Sequence, residues 1–414
     1  MTPQARERLG RVAVWAPRIL LGLTFMLSGW AKCVDPWGFV YKIEEYLTVW
    51  GLISAIPREL TLVCAVGLSI FEFLTGLALA TGSLRRGAPV AATAIMAVML
   101  PLSAYIAIAN PVSDCGCFGD LWVISNTATL AKNIVLTALA IYLLVANRRA
   151  KPLYRPALQW LVLAMGGVYV LVLAVVGWQL QPVVDFRPYP VCSELLADMP
   201  EDEEFYIYEK DGSSERFTLD ALPDSTWTFV ERIGGEAVEN SRLALFDAEG
   251  EEVTDEVLDT GGCALIIITV PEPGLDYLSR ARMANEINDY AREHDMDMIA
   301  AVASSGDALE RWYNIARPHF PVYSASDTSL KELVRGFQGL VLVCDGRIVL
   351  KRNFSYVSPE ILEEDDPFGS LLNPSDGRVA VWLTGALAAG LVFLWLTDRL
   401  FGLKERKNRG KGND

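Results

Sequence analysis

A chain of 414 residues has room for two or three domains, and a 52% hydrophobic content with a mean hydropathy of +0.27 is more apolar than a freely soluble protein carries. Two histidines in all, His294 and His319, argue against a His-rich metal centre and against Ser-His-Asp hydrolysis. The net charge of −15 is divided: residues 181–377 hold 40 of the 51 acidic and 15 of the 36 basic groups, a net of −25, while the remainder carries +10, and an acidic block of that size repels nucleic acid as a partner.

Six apolar runs are long enough to cross about 30 Å of hydrocarbon, near residues 12–31, 59–80, 88–109, 127–146, 158–180 and 379–401. Lys and Arg flanking such runs stay in the cytoplasm. Arg6, Arg8 and Arg11, then Arg85 and Arg86, then Arg148, Arg149, Lys151 and Arg155, and finally Lys404, Arg406, Lys407, Arg409 and Lys411 all fall on one side if both termini are cytoplasmic. The expected location is a bacterial cytoplasmic (inner) membrane, with residues 181–377 in the oxidising periplasm. The first run has no small-residue cleavage site after it and is read as a retained anchor.

After the first span, Phe39, Ile43, Tyr46, Leu47 and Trp50 recur at helical spacing, which suits either a short helix in the membrane interface or an ordinary structured loop. Glu72 lies in the middle of the second span, where an ionised group needs a partner or a polar cavity. Arg18 and Lys132 are the partners the sequence offers, and Glu72 is either a proton handler beside a membrane quinone or a strut that fixes helix packing. Cys64, just inside the second span, is expected to be buried; Cys33, at the end of the first, can be either buried or exchanging.

The third span ends in Asp114–Asp120, DCGCFGD, with Cys115 and Cys117 one glycine apart. A small strained disulfide ring is readily reduced and suits exchange; the same loop can be structural, and paired thiolates also capture soft metals, although no His or further Cys lies in this loop. The ordered set Arg18, Gly22, Phe25, Ser28, Gly29, Lys32, Asp35, Pro36, then Glu72, Gly76 and Gly82, then CGCFG, then Ser125, Lys132 and Asn133 resembles the DoxX family and, within it, the MauE branch of methylamine-utilisation membrane proteins, over about residues 12–146. The resemblance implies a four-helix membrane bundle linked to disulfide formation or protein maturation outside the membrane, with an Arg often standing where this chain has Lys132.

Cys192 follows the fifth span in a stretch with Pro182, Pro188 and Pro190, read as a mobile tether that can bring a resolving thiol to Cys115 or Cys117. Phe205–Tyr208 and Leu243–Phe246 are predicted strands of an extension. A buried strand at 264–270, a helix at 275–293, a strand at 298–303, a helix at 307–315, a strand at 321–323, a helix at 329–334 and a hairpin about Asp345-Gly346 then follow. That order resembles a thioredoxin-like fold over about residues 255–365, without Cys in the Pro271–Leu275 turn and with Gln338-Gly339 in place of the usual proline. Cys263 and Cys344 come close if their strands pair antiparallel, and a buried unpaired role is favoured for both.

The fold class is therefore an α-helical membrane bundle, a four-helix DoxX/MauE-like core plus two further transmembrane helices, with an α/β thioredoxin-like extramembrane domain. The predicted domains are 1–150 (the four-helix part), 151–182 (fifth span), 183–262 (β-rich extension), 263–370 (thioredoxin-like), 378–402 (sixth span) and 403–414 (basic tail). The leading functional reading is thiol-disulfide redox or maturation of extracytoplasmic proteins, with Cys115 and Cys117 as the redox pair, Cys192 as resolving thiol, Glu72 in proton handling, quinone as an acceptor and no bound metal. Its partners are the lipid bilayer and a periplasmic client or thioredoxin-like protein. A non-enzymatic assembly factor is the alternative, and a transporter, suggested by Glu72 and Lys132, is the weakest reading.

Overall fold

The computed structural model divides into a helical unit, residues 1–184 with 374–414, and a mixed α/β unit, residues 185–373. It describes residues 3–112, 114–146, 151–196, 205–210, 213–217, 223, 227–233, 243–259, 264–270, 278–304, 306–354, 357 and 376–411. Cys263, the Pro271–Leu275 turn and the Asp211-Gly212 turn lie outside them.

The helical unit contains α1 (Pro3–Val34), α2 (Pro36–Val49), α3 (Arg58–Thr81), α4 (Gly87–Ala109), α5 (Asn126–Ala146), α6 (Pro156–Gln179) and, after the α/β unit, the helix Asp376–Lys411. Among the described residues six helices are long and apolar enough to cross a membrane: Leu9–Val34, Arg58–Thr81, Gly87–Ala109, Asn126–Ala146, Pro156–Gln179 and Arg378–Leu400. These agree with the expected spans to within three residues. In hydrocarbon helices gain little from apolar burial, so close backbone approach decides which of them pair. A Cβ added at Gly29 would stand 2.6 Å from Ser69 O and Phe73 N, and one at Gly76 would stand 2.6 Å from Gly22 O and Met26 N. Small residues therefore let α1 and α3 cross nearly in backbone contact.

Polar contacts add specificity to the apolar packing. Trp30 Nε1 donates to Tyr169 Oη at 2.9 Å, and that hydroxyl lies 2.7 Å from Thr384 Oγ1, which ties α1, α6 and the last helix together. α2 is a helix because Asp35 caps it, accepting from Gly38 N at 2.9 Å, with Pro36 in its first turn. Its Trp37, Val40, Glu44, Tyr46 and Leu47 are buried, and Arg58 Nη2 donates to Glu44 Oε2 at 2.7 Å, so it packs on the bundle over one whole face. Cys64 corrects the expected burial: α3 turns Ala65, Ser69 and Phe73 inward, which leaves Cys64 exposed on the outer surface of the helix.

In the α/β unit β1 (Phe205–Lys210), β2 (Ser213–Phe217) and β3 (Thr228–Ile233) form an antiparallel sheet in the order β2-β1-β3. The main fold follows with α7 (Thr254–Leu258), β4 (Ala264–Val270), α8 (Leu278–Glu293), β5 (Asp297–Val302), α9 (Gly306–Ala316), β6 (Val322–Ser324), α10 (Asp327–Leu333), β7 (Gly339–Cys344) and β8 (Arg347–Asn353). The final helix of the chain is then α11 (Asp376–Lys411). The five-stranded sheet runs β6-β5-β4-β7-β8, with β4, β5 and β6 parallel and β7 and β8 antiparallel. Two parallel strands joined through a helix, followed by an antiparallel hairpin beside the first strand, make a thioredoxin-like arrangement.

β4 is apolar throughout because both faces are covered. Ile266, Ile268 and Val270 meet Ile287, Trp312 and Phe320 on one side, and Leu265 and Ile267 meet Leu330, Leu333 and Leu245 on the other. Ala264 is opposite Cys344, so the expected antiparallel pairing of β4 and β7 is present. Leu243–Phe246, in contrast, is not a strand: it makes isolated bridges from Phe246 to Ser324 and Glu252, because its neighbours Leu243 and Leu245 are used as core plugs.

The segment after α6 is held rather than tethered loosely. Cys192 N donates to Ile348 O at 2.7 Å, Ile348 N to Ser193 O at 2.9 Å and Leu195 N to Gly346 O at 2.9 Å, covering the open edge of β8. Lys351 Nζ, buried on β8, reaches Asp185 Oδ2 at 2.7 Å and Tyr189 O at 2.6 Å. Burial pushes the Asp185 carboxyl up, but Arg187 and Lys351 overcome it and hold it at about 2.

The α1–α3 crossing generates a test. Gly76→Val is expected to cost the full-length protein about 1–3 kcal/mol by overpacking, read as a lower unfolding temperature in detergent. Gly67→Ala, where an added Cβ meets nothing within 4 Å, leaves that temperature unchanged. Equal behaviour of the two variants would contradict the crossing.

Candidate functional site

Two cysteines separated by one glycine are only a short loop until the fold decides what surrounds them. Helix α4 ends at Asn110, whose φ of 43° is the left-handed cap. Helix α5 starts at Asn126, whose side-chain nitrogen donates to Asn110 Oδ1 at 2.8 Å and to Val112 O at 3.0 Å, closing the intervening loop at its base.

Asp114 then folds the loop back on itself. Its Oδ2 accepts from Gly116 N at 2.6 Å, and its Oδ1 accepts from Lys42 Nζ of α2 at 2.7 Å. Gly116 has φ +66°, and a Cβ there would stand 2.5 Å from Lys42 Cγ, so glycine is required twice over. Two hydroxyls hold the cysteine carbonyls: Tyr46 Oη donates to Cys115 O at 3.3 Å, and Ser28 Oγ donates to Cys117 O. Both thiols are thereby presented to each other, with the sulfurs 2.7 Å apart, a short movement from a bonded S–S distance of about 2.05 Å.

The two sulfurs differ in their surroundings. Cys115 is buried among Tyr46, Ile106 and Val112, whereas Cys117 is partly exposed. The hydrogen bond to Cys117, together with burial, pushes the Cys115 thiol up. The same hydrogen bond, with Lys132 and Lys32 nearby, brings Cys117 down to about 7 against the opposing effect of burial. In the reduced pair these surroundings favour the proton on Cys115 and the negative charge on Cys117.

Cys117 lines a cavity of about 20 Å³ with Ser28, Glu72, Phe118, Lys132 and Asn133. That volume holds about one water. A quinone ring needs a site of several hundred Å³, which this cavity does not offer, and no step is routed through one.

Glu72 is paired with Lys32, not with Arg18 or Lys132: Lys32 Nζ lies 2.7 Å from Glu72 Oε2 and also donates to Ser28 Oγ at 3.2 Å. Arg18 Nε instead donates to Leu79 O at 3.2 Å, and Lys132 Nζ sits 4.5 Å from the centre of the Phe118 ring. Glu72, Lys32, Ser28 and the Cys117 carbonyl thus form one unbroken polar chain. Cys192 belongs to the α/β unit, where it is exposed with φ +75°. Ser28, Lys42, Tyr46 and Asp114 were not singled out from the sequence as site residues. Their signal was spacing: Ser28 and Lys32, and Lys42 and Tyr46, are each four apart, on one face of a helix.

A multi-pass helical membrane protein with a clamped Cys-Gly-Cys loop and a thioredoxin-like α/β unit is the class these features define. Residues 10–146, which hold α3, α4, α5, most of α1 and the loop, match the family model described as methylamine utilisation protein MauE, so this membrane part is MauE-like. Residues 203–233, the three-stranded sheet, match a domain of unknown function, DUF8463. No curated protein matches the chain. Among solved structures, one described for the alkyl peroxide reduction activity of Xanthomonas campestris bacterioferritin comigratory protein is similar at 14% identity, over 36% of this chain and 95% of that one, with a TM-score of 0.23.

The ion pair at the root of the site is directly testable. Glu72→Ala leaves a buried ammonium without its carboxylate and is expected to destabilise the protein by about 3–5 kcal/mol, measured by denaturation in detergent. Replacing both partners by Leu and Met recovers most of that loss. A Glu72→Ala variant as stable as the parent would show that the pair is not held in the bundle.

Proposed function

We propose that the membrane unit is a thiol-disulfide exchange component in which Cys115 and Cys117 alternate between dithiol and disulfide and act on extracytoplasmic proteins. The observation that carries this reading is the pair of sulfurs 2.7 Å apart on a loop fixed from α1, α2 and α5, with ammonium groups beside one of them. A purely structural disulfide has no use for a neighbouring cation, whereas an exchanging one uses it to lower a thiol pKa. Glu72 belongs to the same site: it neutralises Lys32 and lines the same cavity as Cys117, which puts a carboxylate beside that thiol for proton exchange. The basic clusters favour both termini in the cytoplasm, with the loop and the α/β unit outside.

Each exchange is a two-electron step. A client dithiol attacks the closed pair, a mixed disulfide forms, and the second client thiolate displaces it, leaving the client oxidised and the pair reduced. Reoxidation runs the same exchange backwards against a partner protein's disulfide.

A second reading is favoured by one feature, the absence of Cys between Pro271 and Leu275. On that reading the α/β unit is a docking module and the bundle its anchor. Both are tested by maleimide trapping in membranes before and after reduction. The exchange reading expects both cysteines to shift between blocked and reactive, and Ser replacement of both to abolish maturation of the client. Thiols locked in one state under every redox condition, with function surviving the double replacement but lost on deletion of 190–376, would give the second reading instead.

A further inference from the structure

We infer that Cys117 is the sulfur that forms the mixed disulfide with a partner protein, that Lys132 is the cation that keeps it ionised, and that Cys115 is the thiol that resolves it. The inference rests on the exchange reading and adds an order to the pair.

Geometry separates the two sulfurs. Cys115 is walled in by Tyr46, Ile106 and Val112, and its carbonyl is tied to the Tyr46 hydroxyl. Cys117 is the more exposed residue of the two and lines the cavity together with Glu72 and Lys132. The charged and titratable groups about that cavity and the two thiols are Lys32 on α1, Lys42 and Tyr46 on α2, Glu72 on α3, Lys132 on α5 and, in the loop, Cys115 and Asp114, the latter paired with Lys42; α4 adds Ile95, Met96 and Met99. Two of the three lysines are already neutralised, Lys32 by Glu72 and Lys42 by Asp114 and Glu45. Lys132 has only the face of Phe118, and among the described residues no carboxylate pairs with it. Lys132 is half-buried in the second turn of α5 and lines the same cavity as Cys117, so a thiolate at Cys117 supplies the counter-charge it lacks.

The steps balance with the partner's disulfide as the oxidant. The Cys117 thiolate attacks one sulfur of the partner's disulfide, forming a new S–S bond while the partner's other sulfur leaves as a thiolate and takes the Cys115 proton. The Cys115 sulfur then attacks Cys117 Sγ, closing the pair and expelling the partner's first sulfur, which is protonated from water. The pair has lost two electrons and the partner's disulfide has gained them. In reverse, the same sulfur receives a client thiolate.

The test uses the full-length protein in detergent with the other five cysteines replaced, and dithiobis-nitrobenzoate, an aromatic disulfide, as the probe. Cys115→Ser, which leaves Cys117 and keeps a hydroxyl donor beside it, is expected to react at pH 7 at least roughly tenfold faster than Cys117→Ser, with a rate inflection near neutral pH. Adding Lys132→Met moves that inflection up and slows the reaction at pH 7 by roughly tenfold, and Lys132→Arg restores it. The inference is overturned if Cys117→Ser reacts as fast as Cys115→Ser, or if Lys132→Met leaves the pH profile in place while the protein remains folded by circular dichroism. Faster reaction of Cys115→Ser with a parent pair that never changes state in membranes supports the order of the thiols and refutes the exchange reading, so the two failures are distinguishable.

Discussion

The buried ion pair of Lys32 with Glu72 is the interaction on which the membrane unit turns. Two charges inside a helical bundle persist only if their geometry repays the cost of leaving water. Here the repayment depends on α1 and α3 lying almost in backbone contact through Gly29 and Gly76, which brings the two side chains to 2.7 Å. Lys32 then passes a hydrogen bond to Ser28, and Ser28 holds the Cys117 carbonyl. Helix packing, charge balance and the position of a reactive sulfur are therefore one connected problem.

Much of this was legible in the sequence, for reasons that can be named. The six spans follow from apolar run length, which leaves little freedom once 20 residues in a row avoid charge. The strand and helix order of the α/β unit follows from alternation between β-branched runs and amphipathic stretches, and the Asp345-Gly346 turn from its two left-handed residues, with φ values of 51° and 69°. Cys115 and Cys117 stood out because two thiols one glycine apart can close a small strained disulfide ring, while spacing alone left exchange and a structural role open. What the sequence withheld was partnership. Depth in the membrane did not favour one cation for Glu72, and its actual partner, four residues beyond Ser28, is fixed by the rotation of α1 against α3. Cys64 was misplaced for the same reason: a period of 3.6 gives a face, but which face turns inward depends on the neighbour. Leu243–Phe246 alternates like a strand, yet tertiary packing uses its leucines as plugs.

The α/β unit has a thioredoxin-like strand order without Cys in the Pro271–Leu275 segment. Its sheet has the thioredoxin-like order, its core is buried on both faces, and the segment leaving the membrane is sewn along β8 by Cys192, Ser193 and Leu195. The cluster of Asp185, Arg187 and Lys351 fixes that segment at the first residue of the unit. Such anchoring gives the unit a defined start rather than a free linker.

The account stands or falls on whether Cys115 and Cys117 interconvert at a potential useful for exchange. A redox titration of the purified full-length protein in glutathione buffers, read by the mass of alkylated species, measures this directly. The expected result is a reversible two-electron transition of the Cys115–Cys117 pair with a midpoint in the range of about −120 to −270 mV spanned by thiol-disulfide exchange proteins. A pair that stays oxidised below about −300 mV, as structural disulfides do, or that never oxidises at all, would contradict it.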